Sequence, residues 1–294
     1  MYYRRKILLS LLEIFDGELE KIRLQKLLML LSKLQEKPSF DFVPYKYGCF
    51  SFQANADLKT LTKYEQVGEK EKSWTRNDSI SYMPELKASD KKALLNIKKL
   101  YRNKTSYELI GITYKKHPFY AINSTILDKV LKGDSLAKVN NLKKEHIENK
   151  LFTIGYEGIS LECYLNKLIR NGINALIDVR RNALSMKYGF SKKQLKTACN
   201  GINIVYYHFP KLGIESNKRQ ELNSQKDYDN LFTEYKKTNL ANTKEVQSEI
   251  IALIQKHKRI VLTCFEADIC QCHRKPLAES ISKLPGFTWK VQHI

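Results

Sequence analysis

The chain has no long apolar run. No stretch approaches the roughly 18 apolar residues of a membrane-spanning helix, so no membrane span is expected. The start, MYYRRKILLSLLEIF, is basic and then apolar, in the manner of a signal peptide. Glu13, Asp16, Glu18 and Glu20 interrupt it, however, and no small-residue cleavage site follows. It reads instead as an amphipathic helix. Cysteine is scarce: six thiols among 294 residues, irregularly spaced, do not make a secreted disulfide framework. A reduced, cytoplasmic setting is expected. Negative charge is also in short supply. Lys and Arg outnumber Asp and Glu by 29 to 18 in residues 1–150 and by 22 to 13 in residues 151–294, for a formal net charge of +20. Such a surplus is the electrostatic footprint of a nucleic-acid partner, DNA first of all. Both halves are basic, so charge alone does not single out a binding domain.

What is present divides the chain in two. Residues 1–128 read as a mainly helical domain. Apolar stripes predict helices over 6–15 (Ile7, Leu8, Leu11, Leu12, Phe15) and 22–34 (Leu24, Leu27, Leu28, Leu31). Residues 44–51 read as a turn, with Ser51 as N-cap of a third helix carrying Leu58 and Leu61. Residues 73–83 read as two short strands around Arg76-Asn77-Asp78-Ser79. Three helices and a β-ribbon are the order of a winged helix, whose third helix enters the major groove. Lys46, Gln53, Lys59, Arg76 and Asn77 are the candidate nucleic-acid contacts. A basic helix over 89–101 follows, and His117-Pro118 must break any helix after it. Residues 129–149 are polar and charged with little periodicity, and read as a linker.

From 150 to 294, strands alternate with helices. Strands are expected over 151–155, 175–179, 204–207, 259–265 and 289–293. Helices are expected after Ser160, after Ser191, twice within 226–257, and over 276–284. The pattern is that of an α/β domain with a parallel sheet and crossover helices. Four segments then share one rim, because each follows a parallel strand: 155–157, 178–181, 208–213 and 264–274. That rim is where open α/β sheets bind ligands. Asp178 and Arg180 flank Val179 and point the same way, as an oriented ion pair or an ordinary strand-end one. Arg181 adds a second cation for a phosphate-sized anion. Tyr188-Gly189-Phe190-Ser191-Lys192-Lys193 interleaves aromatics with lysines. It suits bases and phosphates, or simply a glycine turn with an N-cap Ser191. His208 ends a strand, and Tyr156 follows one.

The densest chemistry is VLTCFEADICQCHR, residues 261–274. Cys264, Glu266, Asp268, Cys270, Cys272, His273 and Arg274 fall within eleven residues. Beside a helix N-terminus, Cys272 is a candidate nucleophile. Asp178 is then a base or an orienting carboxylate, Glu266 and His273 are proton-transfer groups, and Arg180 with Arg274 forms an anion clamp. A buried structural thiol is the plain alternative for Cys272. The spacing is not the Cys-x5-Arg of phosphatases. Cys264, Cys270, Cys272 and His273 could supply four soft ligands, but their spacing lacks the Cys-x2-Cys pairs usual for zinc. No metal and no cofactor are therefore expected.

The same stretch carries a resemblance. CFEADICQCHRKPLAE is similar to the pattern C-x-E-x-D-P-x-x-C-H-R-x-x-L-A of the domain of unknown function 488 family. FTIGYEGISLECYLNKL, LIDVRRNALSMKYGFSK and IVYYHFPKLGI resemble its other segments, in the same order. Ile269 replaces the usual Pro, Met186 stands where Arg is frequent, and Cys270 is an additional thiol. The resemblance implies a Rossmann-like α/β domain. Its links to DNA repair and nucleic-acid processing are loose. The N-terminal turn and third helix resemble bacterial proteins that fuse a winged-helix-like segment to this family.

The expectation is a nucleic-acid-directed protein. Its N-terminal module binds DNA, and its α/β domain binds or processes a phosphate- or nucleotide-containing ligand, in DNA repair or defence. The rivals are a non-enzymatic, ligand-sensing transcription regulator and an adaptor.

Overall fold

The computed structural model describes residues 1–143, 146–219 and 222–294. It divides into Met1–Lys143 and Lys144–Ile294. Among the described residues no helix is long and apolar enough to cross a membrane.

In the first unit, α1 (Tyr3–Ile14) leads into β1 (Glu18–Glu20), α2 (Lys21–Ser32), the hairpin β2 (Val43–Tyr45) and β3 (Gly48–Phe50), and α3 (Phe52–Lys63). Ser51 caps α3 as expected, its hydroxyl accepting from the Ala54 amide. β4 (Val67–Glu69) and β5 (Ser73–Arg76) follow. β5 pairs antiparallel with both β1 and β4, giving a three-stranded sheet ordered β1-β5-β4. Then come α4 (Ala88–Tyr101), α5 (Ser106–Lys116), α6 (Leu127–Val130) and α7 (Gly133–Asn140). The apolar stripes of α1, α2 and α3 meet in one core with Trp74.

Three expectations are corrected here. Residues 44–51 are a hairpin rather than only a turn. The ribbon is shifted: its turn is 70–72, and residues 77–82 form no strand. Burial decides this. Val67 and Trp74 go into the core, whereas Ile80, which made the 79–82 run look like a strand, stays 58% exposed. The segment read as a linker, 129–149, contains α7, whose Val139 is buried. Residues 144 and 145 of that segment lie outside the described residues.

In the second unit, β6 (Lys150–Gly155), α8 (Leu161–Arg170), β7 (Ala175–Asp178), α9 (Lys192–Gly201) and β8 (Val205–His208) come first. They are followed by α10 (Gln225–Tyr235), a π-helical turn over Lys236–Leu240, α11 (Lys244–His257), β9 (Arg259–Cys264), α12 (Arg274–Ser282) and β10 (Lys290–His293). The sheet is parallel throughout, in the order β10-β6-β9-β7-β8. This is the parallel α/β architecture expected from the alternation of strands and helices, and the Rossmann-like fold that the resemblance implies. β9 is central and buried along its whole length, which is why it reads as an uninterrupted apolar run. Leu151, Ile177 and Leu262 of the sheet join Ile250 and Ile254 of α11 and Leu277 and Ile281 of α12 in one core.

Candidate functional site

The register fixes the rim. Gly155 lies opposite Cys264, and Asp178 lies between Thr263 and His208. The strand ends that carry the sequence-predicted residues are therefore neighbours. Two glycines let the connecting loops close over them. A Cβ on Gly155 would lie 1.8 Å from the Glu266 carbonyl oxygen, and one on Gly213 would lie 2.1 Å from the Arg181 amide nitrogen.

Asp178 and Arg180 form a closed ion pair rather than a clamp. Asp178 is 0% exposed and Arg180 5%. The guanidinium donates Nε to Oδ1 at 2.8 Å and Nη2 to Oδ2 at 2.6 Å. Its Nη1 donates to the Tyr156 hydroxyl and the Phe190 carbonyl, at 2.7 and 2.9 Å. Tyr206 donates to Asp178 Oδ2 at 2.6 Å. Burial works against the guanidinium charge, but the Asp178 carboxylate outweighs it and raises the Arg180 pKa. Burial, then Asp178, pushes the Tyr206 hydroxyl up in the same way. Four of the five N–H donors of Arg180 are used within the network, so the pair faces inward rather than toward an incoming anion. Tyr156 belongs to this network, stacked on Phe190 with ring centroids 4.2 Å apart. Ser191 makes no side-chain cap. Its hydroxyl instead bonds the Ser185 backbone on both sides, which closes the loop before α9.

Arg274 is also structural in its contacts. It is 2% exposed, and its guanidinium donates to the carbonyls of Glu266 and Ala267. It holds the loop after β9 from below. Arg181 does face solvent, with weak contacts of 3.5 Å to the Pro210 carbonyl and to Glu215. Beside it, a cavity of about 310 Å³ is lined by Arg181, Lys218, Thr238, Asn239 and Tyr235, among others. The π-helical turn supplies Thr238 and Asn239, and such turns gather at functional sites. Lys192 donates to His208 Nδ1 at 3.1 Å, and His208 Nε2 meets the Arg180 carbonyl at 3.0 Å. His208 is thus oriented, and Lys192 is an exposed cation beside it.

The thiol cluster does assemble, with one substitution among its members. Donor atoms of Cys264, Glu266, Cys272 and His273 all lie within 4.8 Å of one another, and all four residues are buried. Cys264 Sγ is 3.1 Å from Glu266 Oε2 and 3.5 Å from His273 Nδ1. His273 Nε2 is 3.1 Å from the Val179 carbonyl oxygen, which places a proton on Nε2 and turns Nδ1 toward the thiols. Glu266 Oε1 is bound by Arg219, which comes from the loop after β8 and has no motif to announce it. Cys270 is exposed and outside the cluster. It lies on a 3-10 turn over Ile269–Gln271, whereas Cys272, which follows that turn, is buried.

The two clustered thiols differ. Burial pushes both up, but the hydrogen bond from Cys272 and the nearby charges of His273 and Arg219 bring Cys264 well below the ordinary thiol range. Burial, the hydrogen bond and the charge of Cys264 drive Cys272 well above it. Cys272 is 0% exposed and Cys264 1%. The candidate nucleophile Cys272 is therefore a buried thiol with its pKa pushed up.

Of the candidate nucleic-acid contacts in the first unit, Lys46, Lys59 and Asn77 are exposed. Gln53 donates to Asp57 at 3.2 Å. Arg76 is committed to Glu13, Asp78 and the Ile80 carbonyl, with its side chain only 10% exposed. It is not available to a phosphate.

The family model described as Domain of unknown function DUF488 matches residues 160–281. That span runs from the cap of α8 almost to the end of α12 and contains three of the four motifs quoted above. No curated protein and no solved structure matches the chain.

Proposed function

We propose that this chain is directed to nucleic acid, docking through Met1–Lys143 and holding a phosphate-containing ligand on the rim of its DUF488 unit. The observation that carries the first half is the sheet order β1-β5-β4 around three helices. Helix, strand, helix, hairpin, helix and a two-stranded ribbon, with the first strand paired to the ribbon's second strand, support a winged-helix reading, in which α3 would lie in the major groove. The charge distribution adds a refinement. Residues 1–86 hold 14 Lys and Arg against 12 Asp and Glu, whereas residues 87–143 hold 13 against 4. The positive face therefore lies on the segment that begins with α4, where Lys92, Lys99, Lys115 and Lys116 are exposed. Backbone phosphates would be met there, with Lys59 and Lys63 of α3 nearest the bases.

For the second half, Arg181 and Lys218 beside the 310 Å³ cavity supply the cations that a phosphate needs. The burial of both clustered thiols favours binding over turnover, so the ligand-sensing regulator is the reading we prefer to an enzyme. Six cysteines outside any disulfide among the described residues suit a reducing cytoplasm. Repair or defence of DNA is the setting we propose for such a pairing of modules.

The test is titration of a fluorescent duplex with the full chain across a salt series. Each phosphate contact should contribute about 0.9 to the slope of log K against log salt. Joint replacement of Lys92, Lys99, Lys115 and Lys116 by Ala should flatten that slope. No duplex binding at low salt would end the nucleic-acid reading.

A further inference from the structure

We infer that Cys264, Glu266, Cys272 and His273 form a closed binding site for one zinc-like divalent cation, ligated as S2NO. The inference stands whether or not the chain binds DNA. It begins from lone pairs. Two sulfurs, one imidazole nitrogen and one carboxylate oxygen converge within 4.8 Å, screened from solvent. His273 Nε2 is held by the Val179 carbonyl, so Nδ1 is the ring nitrogen that faces the thiols. Glu266 Oε2 and His273 Nδ1 both lie within reach of Cys264 Sγ. A cation at the centre satisfies all four at once.

Geometry and chemistry agree with this. Tetrahedral zinc with bonds of roughly 2.0–2.3 Å sets its donors about 3.3–3.8 Å apart. The 3.1 and 3.5 Å separations around Cys264 are close to that edge. Two thiolates with an imidazole select a borderline-soft ion over magnesium or calcium. The outer contacts are those of a ligand set. The second nitrogen of His273 is pinned by a backbone carbonyl, and the second oxygen of Glu266 by Arg219, so each ligand is oriented by its far side.

Charge is compatible with loading. Among the described residues, the buried Arg274 guanidinium has no carboxylate partner, and its Nε has no hydrogen-bond acceptor. Two thiolates, a carboxylate and a dication leave one net negative charge, the same as two thiols with that carboxylate. The ion therefore enters without adding net charge beside Arg274 and Arg219. Loading releases the two thiol protons to solvent as the two metal–sulfur bonds form, with no change of oxidation state. Four donors with no open position make the ion structural. It ties the end of β9 to the start of α12, and so fixes the loop that closes over Gly155.

The experiment uses the untagged, reduced full chain, stripped of metal and titrated with Zn2+ against a chromophoric chelator, and separately with Co2+. One equivalent of Zn2+ is expected. Co2+ should give the intense d–d bands of a tetrahedral site together with thiolate-to-metal charge transfer. Cys264→Ser, Cys272→Ser and His273→Ala should abolish stoichiometric uptake, Glu266→Gln should weaken it at least tenfold, and Cys270→Ser should bind as wild type. If the ligand variants do not fold, the wild-type spectrum and the Cys270→Ser titration still decide. Reduced wild-type protein that takes up neither ion overturns the inference. So does a Cys264–Cys272 disulfide, seen as a two-dalton loss in freshly isolated protein. Loss of the cobalt spectrum in Cys270→Ser would equally overturn it.

Discussion

Replacing Arg180 by Met should unfold the second unit far more readily than replacing both members of its ion pair. The guanidinium makes four hydrogen bonds of 2.6–2.9 Å, two of them to a carboxylate that is 0% exposed. Arg180→Met keeps the stem and removes the charge. Asp178 is then a buried anion held only by the Tyr206 hydroxyl and the local backbone. Breaking a buried pair from one side costs about 3–5 kcal/mol. At roughly 2–4 °C per kcal/mol for a unit of this size, the melting temperature of its transition falls by about 6–20 °C. Asp178→Leu with Arg180→Met removes both charges and should recover about half of the loss or more, because no unpaired ion remains. Urea unfolding followed by circular dichroism, fitted with a transition for each unit, gives the four corners of the cycle. A cost below about 1 kcal/mol for Arg180→Met, or strict additivity in the double variant, would refute the closed-pair account. It would also reopen Arg180 as an anion ligand.

Arg274→Ala should lower stability by about 2–4 kcal/mol, because the Glu266 and Ala267 carbonyls lose their buried donor; unchanged thermal unfolding would mark it as a dispensable side chain. Gly155→Ala should cost about 1–3 kcal/mol by pushing the Glu266 carbonyl aside, and a wild-type melting temperature would contradict the close approach. Lys26→Met should stabilise the first unit by about 1 kcal/mol or more, since a 2% exposed ammonium bonded to the Cys49 carbonyl at 2.9 Å is exchanged for an apolar chain. Burial lowers the Lys26 pKa below its ordinary 10.5. The unfolded chain therefore binds the extra proton, and wild-type stability rises with pH from the lowered value up to 10.5. Urea midpoints across that range should lose this rise in Lys26→Met, and a slope that survives would assign it to another group.

The α/β half was legible because strands buried on both faces read as apolar runs, and β7 and β9 have no other reading. β1 was not legible. Glu18-Leu19-Glu20 offers one apolar residue between two acids, and only pairing with β5 makes it a strand. The rim followed from parallel topology alone. Which side chains turn inward did not. The set of four soft donors weighed from the sequence held Cys270 and not Glu266, whereas Glu266 joins the cluster and Cys270 is exposed on the 3-10 turn at 269–271. Arg180 looked like an anion clamp because its fixed partners, Tyr156 and the Phe190 carbonyl, lie 24 and 10 residues away. The β-ribbon was placed about seven residues late, since local alternation at 79–82 outweighed a burial that depends on the whole sheet.

The central position of β9 has a kinetic consequence. Its amides and carbonyls are paired on both sides, to β6 and to β7, and no residue of the strand reaches solvent. Such backbone exchanges its protons with solvent only when the whole unit opens. Cys264 is the last residue of that strand, whereas Glu266, Cys272 and His273 sit on the loop and first turn beyond it. One sulfur therefore rides on the slowest-opening backbone of the unit, and its three companions ride on a segment that can lift by itself. Amides of the 265–273 loop, outside the sheet ladder, are therefore expected to exchange before those of β9.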